Sequence, residues 1–165
     1  MMSILIKPMR QPWDEYTSVS ISSTRDICLD SYLHRHLPDD ADRLVKSRVR
    51  LVNVWRPIQN TVAHYPLAAA DWQTVDDKRD FQTTTRYYPA YTGSAVNVRW
   101  HADQRFWYLS DQTPEECMLI KIFDSLDDGK TARATPHSAF YDPTSPPDAP
   151  QRQSIEVRCL IFDVE

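Results

Sequence analysis

The chain has 165 residues and a formal net charge of −4, with acidic and basic side chains interleaved along it. That length suits one domain, residues 1–165, with a core of its own. The mixed charge excludes the basic footprint of a nucleic-acid binder, and the 11% aromatic content argues against disorder.

The opening Met1-Met2-Ser3-Ile4-Leu5-Ile6 is apolar but too short for a signal core or a membrane span, so a soluble, cytoplasmic protein is expected. Val19 to Thr24 alternates as a short strand. Residues 26–48 read as partly helical, with Leu29, Tyr32 and Leu33 at helical spacing and Pro38-Asp39-Asp40 as a second helix start. His34 and His36 fall on different helix faces and suit a solvated surface. Val49 to Pro57 is the clearest strand, with Leu51, Asn53 and Trp55 on one face and Val52, Val54 and Arg56 on the other. Arg56 is either an edge residue or a pocket cation.

Strands are further predicted in Tyr65–Val75, Phe81–Tyr91, Val96–Leu109, Met118–Asp124 and Ser154–Val164. Asp76 to Asp80 and Asp127 to Lys130 read as turns, and Thr113-Pro114-Glu115-Glu116 resembles a cap. Lys121, inside an apolar strand, requires an ionic partner or an exit to water. Two glycines against twelve prolines rule out the common glycine-rich phosphate loops and favour short strands joined by fixed turns. The expected class is mainly β, a sandwich or jelly roll (double-stranded β-helix) with minor helix. Cys28, Cys117 and Cys159 have no CxxC spacing and sit among apolar residues, so each is expected to be a small buried hydrophobe in a reducing compartment.

Two residues near the end suggest a pocket. His137 stands beside a turn, and Arg152 opens the last strand. Jelly-roll iron oxygenases use an HxD pair on a strand, a later histidine, and a basic residue that clamps the co-substrate carboxylate. One HxD exists here, His101-Ala102-Asp103, and with His137 it gives one candidate ligand set. Its face also carries Asn97, Arg99 and Arg105, a pattern more typical of solvent.

Asn53-Val54-Trp55-Arg56-Pro57-Ile58, the run from Phe106-Trp107-Tyr108 to Lys121-Ile122-Phe123-Asp124-Ser125, and His137 to Pro143 with Arg152 to Arg158 together resemble a family. It is the gibberellin-desaturase-like and cephamycin-methoxylase-subunit-like family of fungal and bacterial secondary metabolism, related to 2-oxoglutarate and iron oxygenases. The resemblance runs from about Val19 to Phe162. It implies that the metal HxD precedes the Asn53–Pro57 strand, where this chain has Ser20 and Ser22. It implies that His137 is the distal histidine and Arg152 the co-substrate arginine, and that the N-terminus is short.

Serine hydroxyls are poor iron ligands, so the favoured expectation is an enzyme with a degenerate metal site, no cofactor and a non-oxidative step (cyclisation, isomerisation or dehydration). His137, Arg152, Arg56 and Lys121 would be its catalytic groups. Asn53, Trp55, Trp107, Tyr108, Phe140 and Arg158 would line a pocket for an anionic or enolic metabolite. The structural alternative for Arg152 and Arg158 is pairing with Glu156, Asp142 or Asp163. One further alternative is an active Fe(II)- and 2-oxoglutarate-dependent hydroxylase or desaturase using His101, Asp103 and His137. Another is a non-catalytic partner subunit. An incomplete barrel edge would suit a second chain, including a homodimer.

Overall fold

The structure is a computed structural model, and it describes residues 6–8, 19–21, 29–89 and 91–163. The described residues form ten strands and little helix. In chain order the strands are β1 (Ile6–Pro8), β2 (Val19–Ile21), β3 (Val49–Pro57), β4 (Leu67–Ala70), β5 (Phe81–Tyr88), β6 (Tyr91–Val98), β7 (Phe106–Leu109), β8 (Met118–Asp124), β9 (His137–Ala139) and β10 (Ser154–Phe162). Helices α1 (Leu29–His36) and α2 (Ala41–Leu44) precede β3, and α3 (Asp77–Asp80) precedes β5. No helix among the described residues is long and apolar enough to cross a membrane.

The strands pair in three antiparallel groups: a four-stranded sheet β1-β7-β4-β9, a three-stranded sheet β10-β3-β8, and a three-stranded ribbon β2-β6-β5. β3 is central in its sheet because both its faces can be covered. Leu51, Asn53 and Trp55 are buried, while Val52 and Val54 are half-buried. The buried face meets α1 and α2 in the main core of Leu29, Leu33, Leu44, Leu51, Trp55 and Ile120, among others. α1 presents Leu29 and Leu33, four residues apart, to that core.

The four-stranded sheet faces the same core through Leu67 of β4. Its other face holds a smaller cluster of Ala68, Ala70 and Phe106, joined by Tyr108 and Phe140. The two main sheets thus enclose a shared interior, and β2 lies against β9 at its margin.

Several expected boundaries move. The 65–75 stretch holds one strand and a single 3-10 turn, Trp72–Thr74, capped by Asp71. Residues 76–80 form the short helix α3, because the Asp76 carboxylate accepts from the amides of Lys78 and Arg79. Val96–Leu109 is broken by a turn, so β6 and β7 are separate strands. Thr113 to Glu116 keeps the expected form, a short capped turn with Glu116 accepting from the Thr113 amide at 2.8 Å. Cys117 is exposed and Cys159 half-buried, which corrects the expectation of buried thiols, and Cys28 lies outside the described residues. Cys159 lies on the outward face of β10 opposite Val52, and Cys117 immediately precedes β8.

Candidate functional site

β9 carries His137, and its register sets the site. Ala69 of β4 pairs with His137 on one side and with Trp107 of β7 on the other. Residues directly opposite one another share a face, so His137, Ala69 and Trp107 form a row across three strands. Strand spacing puts the outer two backbones ~10 Å apart. The alanine between them leaves room above the sheet. Leu67, two residues before Ala69, shares this face and packs against the main core, while Trp107 at the far end of the row is 38% exposed.

The imidazole is fixed from behind. His137 Nδ1 lies 2.9 Å from the Thr135 carbonyl oxygen. A carbonyl only accepts, so Nδ1 carries the proton and Nε2 keeps the lone pair. Thr135 is itself held by β8, its amide donating to the Lys121 carbonyl at 2.8 Å. A ring oriented this way suits metal ligation or proton transfer through Nε2.

Arg152 lies in the loop two residues before β10, not at the start of the strand as expected. Its guanidinium lies over the Trp55 ring, 5.6 Å from the centroid, and Nη1 donates to the Tyr65 carbonyl. Tyr65 adopts φ 51°, an uncommon conformation for a bulky residue, which directs that carbonyl towards the arginine. Burial pulls the Arg152 guanidinium below its ordinary value. A desolvated guanidinium without a carboxylate among its recorded partners is a strong anion receptor.

The remaining expected site residues divide by sheet face. Trp55 supports Arg152, and Trp107 lines the row with His137. Tyr108 and Phe140 lie on the opposite face of their sheet, in edge-to-face contact at 4.9 Å. Asn53 is buried, donating to Glu156 at 2.8 Å and accepting from Arg158 at 3.1 Å, so these three form a satisfied network. Arg56 is exposed on the outward face of β3, and its Nε donates to the Pro57 carbonyl at 3.1 Å. Lys121 is on the outward face as well and spends its charge on Asp124 at 2.8 Å. The structure therefore does not bring Arg56 or Lys121 to the face of His137, as alternation along β3 and β8 dictates.

The His101, Asp103 and His137 ligand set is also corrected. His101 and Asp103 sit in the turn after β6, where the Gln104 amide closes onto the His101 carbonyl at 3.1 Å. They pair with each other at 3.2 Å, and Asp103 also meets Arg79 at 3.8 Å. No strand aligns them, and no group of three His, Cys, Asp or Glu side chains able to hold a metal occurs among the described residues. An open cleft borders this turn, lined by Asp76, Arg79, Asp103, Asp127 and Arg133. Its arginines are engaged with Asp80 and Asp127.

Ser20 and Ser22 were placed where the ligand pair was expected. β2, which contains Ser20, does run beside β9. The Ser20 side chain and all of Ser22 lie outside the described residues. Tyr65, Ala69 and Thr135 were not foreseen. Only pairing register and backbone conformation give them a role, and a single sequence carries neither signal.

Similarity to known proteins fits this geometry. A family model described as an oxidoreductase/YMDC permease-like domain matches residues 17–162. Aspirochlorine biosynthesis protein N of Aspergillus oryzae is 38% identical, over 93% of this chain and 66% of that protein. The hydroxylase/desaturase asaB of Aspergillus flavus is 38% identical, over 74% of this chain and 59% of that protein. The Fe(II)/2-oxoglutarate-dependent dioxygenase nvfI of Aspergillus novofumigatus is 37% identical, over 78% and 46%. Solved structures of the iron- and α-ketoglutarate-dependent endoperoxidase NvfI superpose with a TM-score of 0.79 at 29% identity, covering 98% of this chain and 60% of that one. The chain thus spans less than two thirds of the length of these relatives.

These findings make the fold a jelly roll of the iron oxygenase type. They also overturn the expectation of no cofactor, because relatives and structural neighbours are named for Fe(II) and 2-oxoglutarate. Among the described residues, His137 fits one imidazole ligand and Arg152 fits a carboxylate clamp. The fit is with those two roles, and no group of three potential ligands is assembled among the described residues. With a family match over most of its length and relatives that are fungal oxidoreductases of secondary metabolism, the chain belongs to the oxidoreductase/YMDC permease-like domain family.

Proposed function

We propose that this chain is an oxidative tailoring enzyme of fungal secondary metabolism that depends on Fe(II) and 2-oxoglutarate, a hydroxylase or desaturase in its broad type. What supports it is an imidazole held with Nε2 available, His137, and a partly buried guanidinium without a carboxylate partner, Arg152, in one domain of an iron-oxygenase fold. When bound, iron and 2-oxoglutarate supply the oxidising power, drawing on dioxygen and releasing succinate and carbon dioxide.

The chain's own residues bind and orient. Arg152 pairs with a co-substrate carboxylate, and Trp55 under its other face keeps water from competing. Thr135 fixes the His137 ring so that Nε2 is available. Trp107 forms an aromatic wall beyond Ala69, suited to the apolar body of a small metabolite. The finer family label, gibberellin-desaturase-like, belongs to this same reading.

The test is turnover of 2-oxoglutarate with added Fe(II) in air, read as succinate released. His137→Ala should abolish it. Succinate release that is unaffected by His137→Ala, or absent from the wild type under every iron and oxygen condition, would overturn the reading. A second reading, a step without net oxidation at the same corner, is favoured by the serine at β2 beside β9. Substrate consumption in the strict absence of dioxygen would select it.

A further inference from the structure

The loop that leads to Arg152 is tied to one short stretch just before β4. The Ser145 hydroxyl donates to the Ala63 carbonyl. His64 Nε2 lies 3.1 Å from the Ala149 carbonyl oxygen, which only accepts, so Nε2 carries the proton. The Tyr65 ring packs against the Tyr141 ring, with centroids 6.3 Å apart. The Phe140 amide donates to the Pro66 carbonyl at 3.2 Å. Residues 63, 64, 65 and 66 are thus each held by the 140–152 segment. That segment is stiffened by Pro143, Pro146, Pro147 and Pro150. These contacts surround an unfavourable backbone. Tyr65 is bulky and precedes Pro66, which steers it towards extended conformations, yet its φ is 51°. Such a conformation persists where the surroundings over-determine it. Its consequence is the direction of the Tyr65 carbonyl, which accepts from Arg152 Nη1.

We propose that residues 63–66 and the 140–150 loop form one clasp that holds Arg152 as a preformed carboxylate receptor, with His64, Tyr65 and Ser145 as positioning residues. The proposal rests on the reading of Arg152 as the co-substrate clamp. A neutral carbonyl suits this task better than a carboxylate would. It fixes the guanidinium through a hydrogen bond but leaves the positive charge uncancelled. With Nη1 occupied and the Trp55 ring under the guanidinium at 5.6 Å, the fork left for a ligand is Nε with Nη2. That edge takes a carboxylate through two parallel N–H bonds. Fixing the fork beforehand spares part of the ordering cost of binding. Tyr65 acts through its backbone, so a substitution there acts through φ. A β-branched residue resists this φ, whereas glycine accepts it.

Two measurements on the full chain test it. One is the dissociation constant for 2-oxoglutarate, taken by calorimetry with Fe(II) under argon. The other is recorded without metal or ligand. It is the Arg152 Nε–H resonance in a proton–nitrogen correlation spectrum, identified by its loss in Arg152→Lys and displaced by the Trp55 ring current. Tyr65→Ile should return that resonance to an ordinary arginine position and raise the dissociation constant ~10-fold. Tyr65→Gly should keep the resonance in place and bind within ~2-fold of the wild type. Ser145→Ala should move both readouts in the same direction as Tyr65→Ile, and it carries the test should Tyr65→Ile fail to fold. An Arg152 resonance unmoved by Tyr65→Ile and by Ser145→Ala overturns the proposal, and so does a Tyr65→Gly protein that binds as weakly as Tyr65→Ile. A wild type that binds no 2-oxoglutarate overturns the co-substrate reading and with it the receptor role. The resonance separates that failure from a failure of the clasp.

Discussion

At the residue scale, Asp124 carries the largest electrostatic demand. It is fully buried, and Arg48 and Lys121 both reach it, at 2.7 and 2.8 Å. Burial alone would push its carboxyl up. The hydrogen bonds from Arg48, Lys121 and the Leu126 amide outweigh that and hold it well below the carboxylate range. Asp80 repeats the pattern with Arg79, its carboxyl lowered to about 2 against the same opposing burial. Both folded values lie below the unfolded value of ~3.9. Their stabilisation is therefore present above that value and lost as pH falls. Circular dichroism in urea should show stability flat above about pH 5. It should decline between about pH 4 and about pH 2 as Asp80 protonates, and further below as Asp124 does. Asp124→Asn should cost about 3 kcal/mol at pH 7, because two cations lose a buried partner. A cost near zero would show that Arg48 and Lys121 reach water instead. Lys121 also shows the reach of sequence reasoning at this scale. Its position in an apolar strand announced a need for a partner, but Asp124 supplies that need as a structural ion pair, which a pocket cation would not have. For Arg152 the same logic gives a functional test. Arg152→Lys keeps charge but loses the planar fork over Trp55, so the KM for 2-oxoglutarate should rise about 10-fold or more with kcat less affected. An unchanged KM would remove Arg152 from co-substrate binding.

At the element scale, legibility tracks how local the cause is. β3 was readable to the residue, because alternation and Pro57 are written in the chain itself. β8 and the start of β10 were equally plain. The row of His137, Ala69 and Trp107 was not readable, since it depends on β4 pairing with residues 36 or more positions away in the sequence. For the same reason His101 and Asp103 looked like ligands on paper. Their HxD spacing has meaning only on a strand, and β6 ends at Val98. Tyr108 and Phe140 lie on the face opposite His137, a division between neighbouring residues that follows from strand alternation and depends on pairing the sequence does not show. The row yields its own prediction. Ala69→Phe should fill the space between His137 and Trp107 and abolish turnover of a bulky metabolite. The variant should keep uncoupled 2-oxoglutarate consumption, because Arg152 is untouched. Retained turnover would place the substrate elsewhere.

At the scale of the whole molecule, the core among the described residues is unevenly shared. Helices α1 and α2 and the sheet β10-β3-β8 bury one large cluster that includes Leu29, Leu33, Leu51, Ile120, Ile122 and Phe123. The cluster recorded for the β5–β6 pair is Val96 and Val98 with Phe81 packed against them. Local opening follows the apolar area that must be exposed, so the two parts should open with different free energies. Hydrogen exchange followed by mass spectrometry should find the amides of β3 and β8 slowest and those of β5 and β6 faster. The two should also respond separately to mutation. Leu33 is fully buried in the large cluster, and Leu33→Ala should cost about 2–5 kcal/mol there. Exchange should then quicken across β3 and β8 together while β5 and β6 keep their wild-type rates. Uniform acceleration of every strand would mean that the sheets open as one unit. The His137 row would then be only as persistent as the molecule as a whole, whereas separate opening leaves it anchored to the large cluster through Leu67.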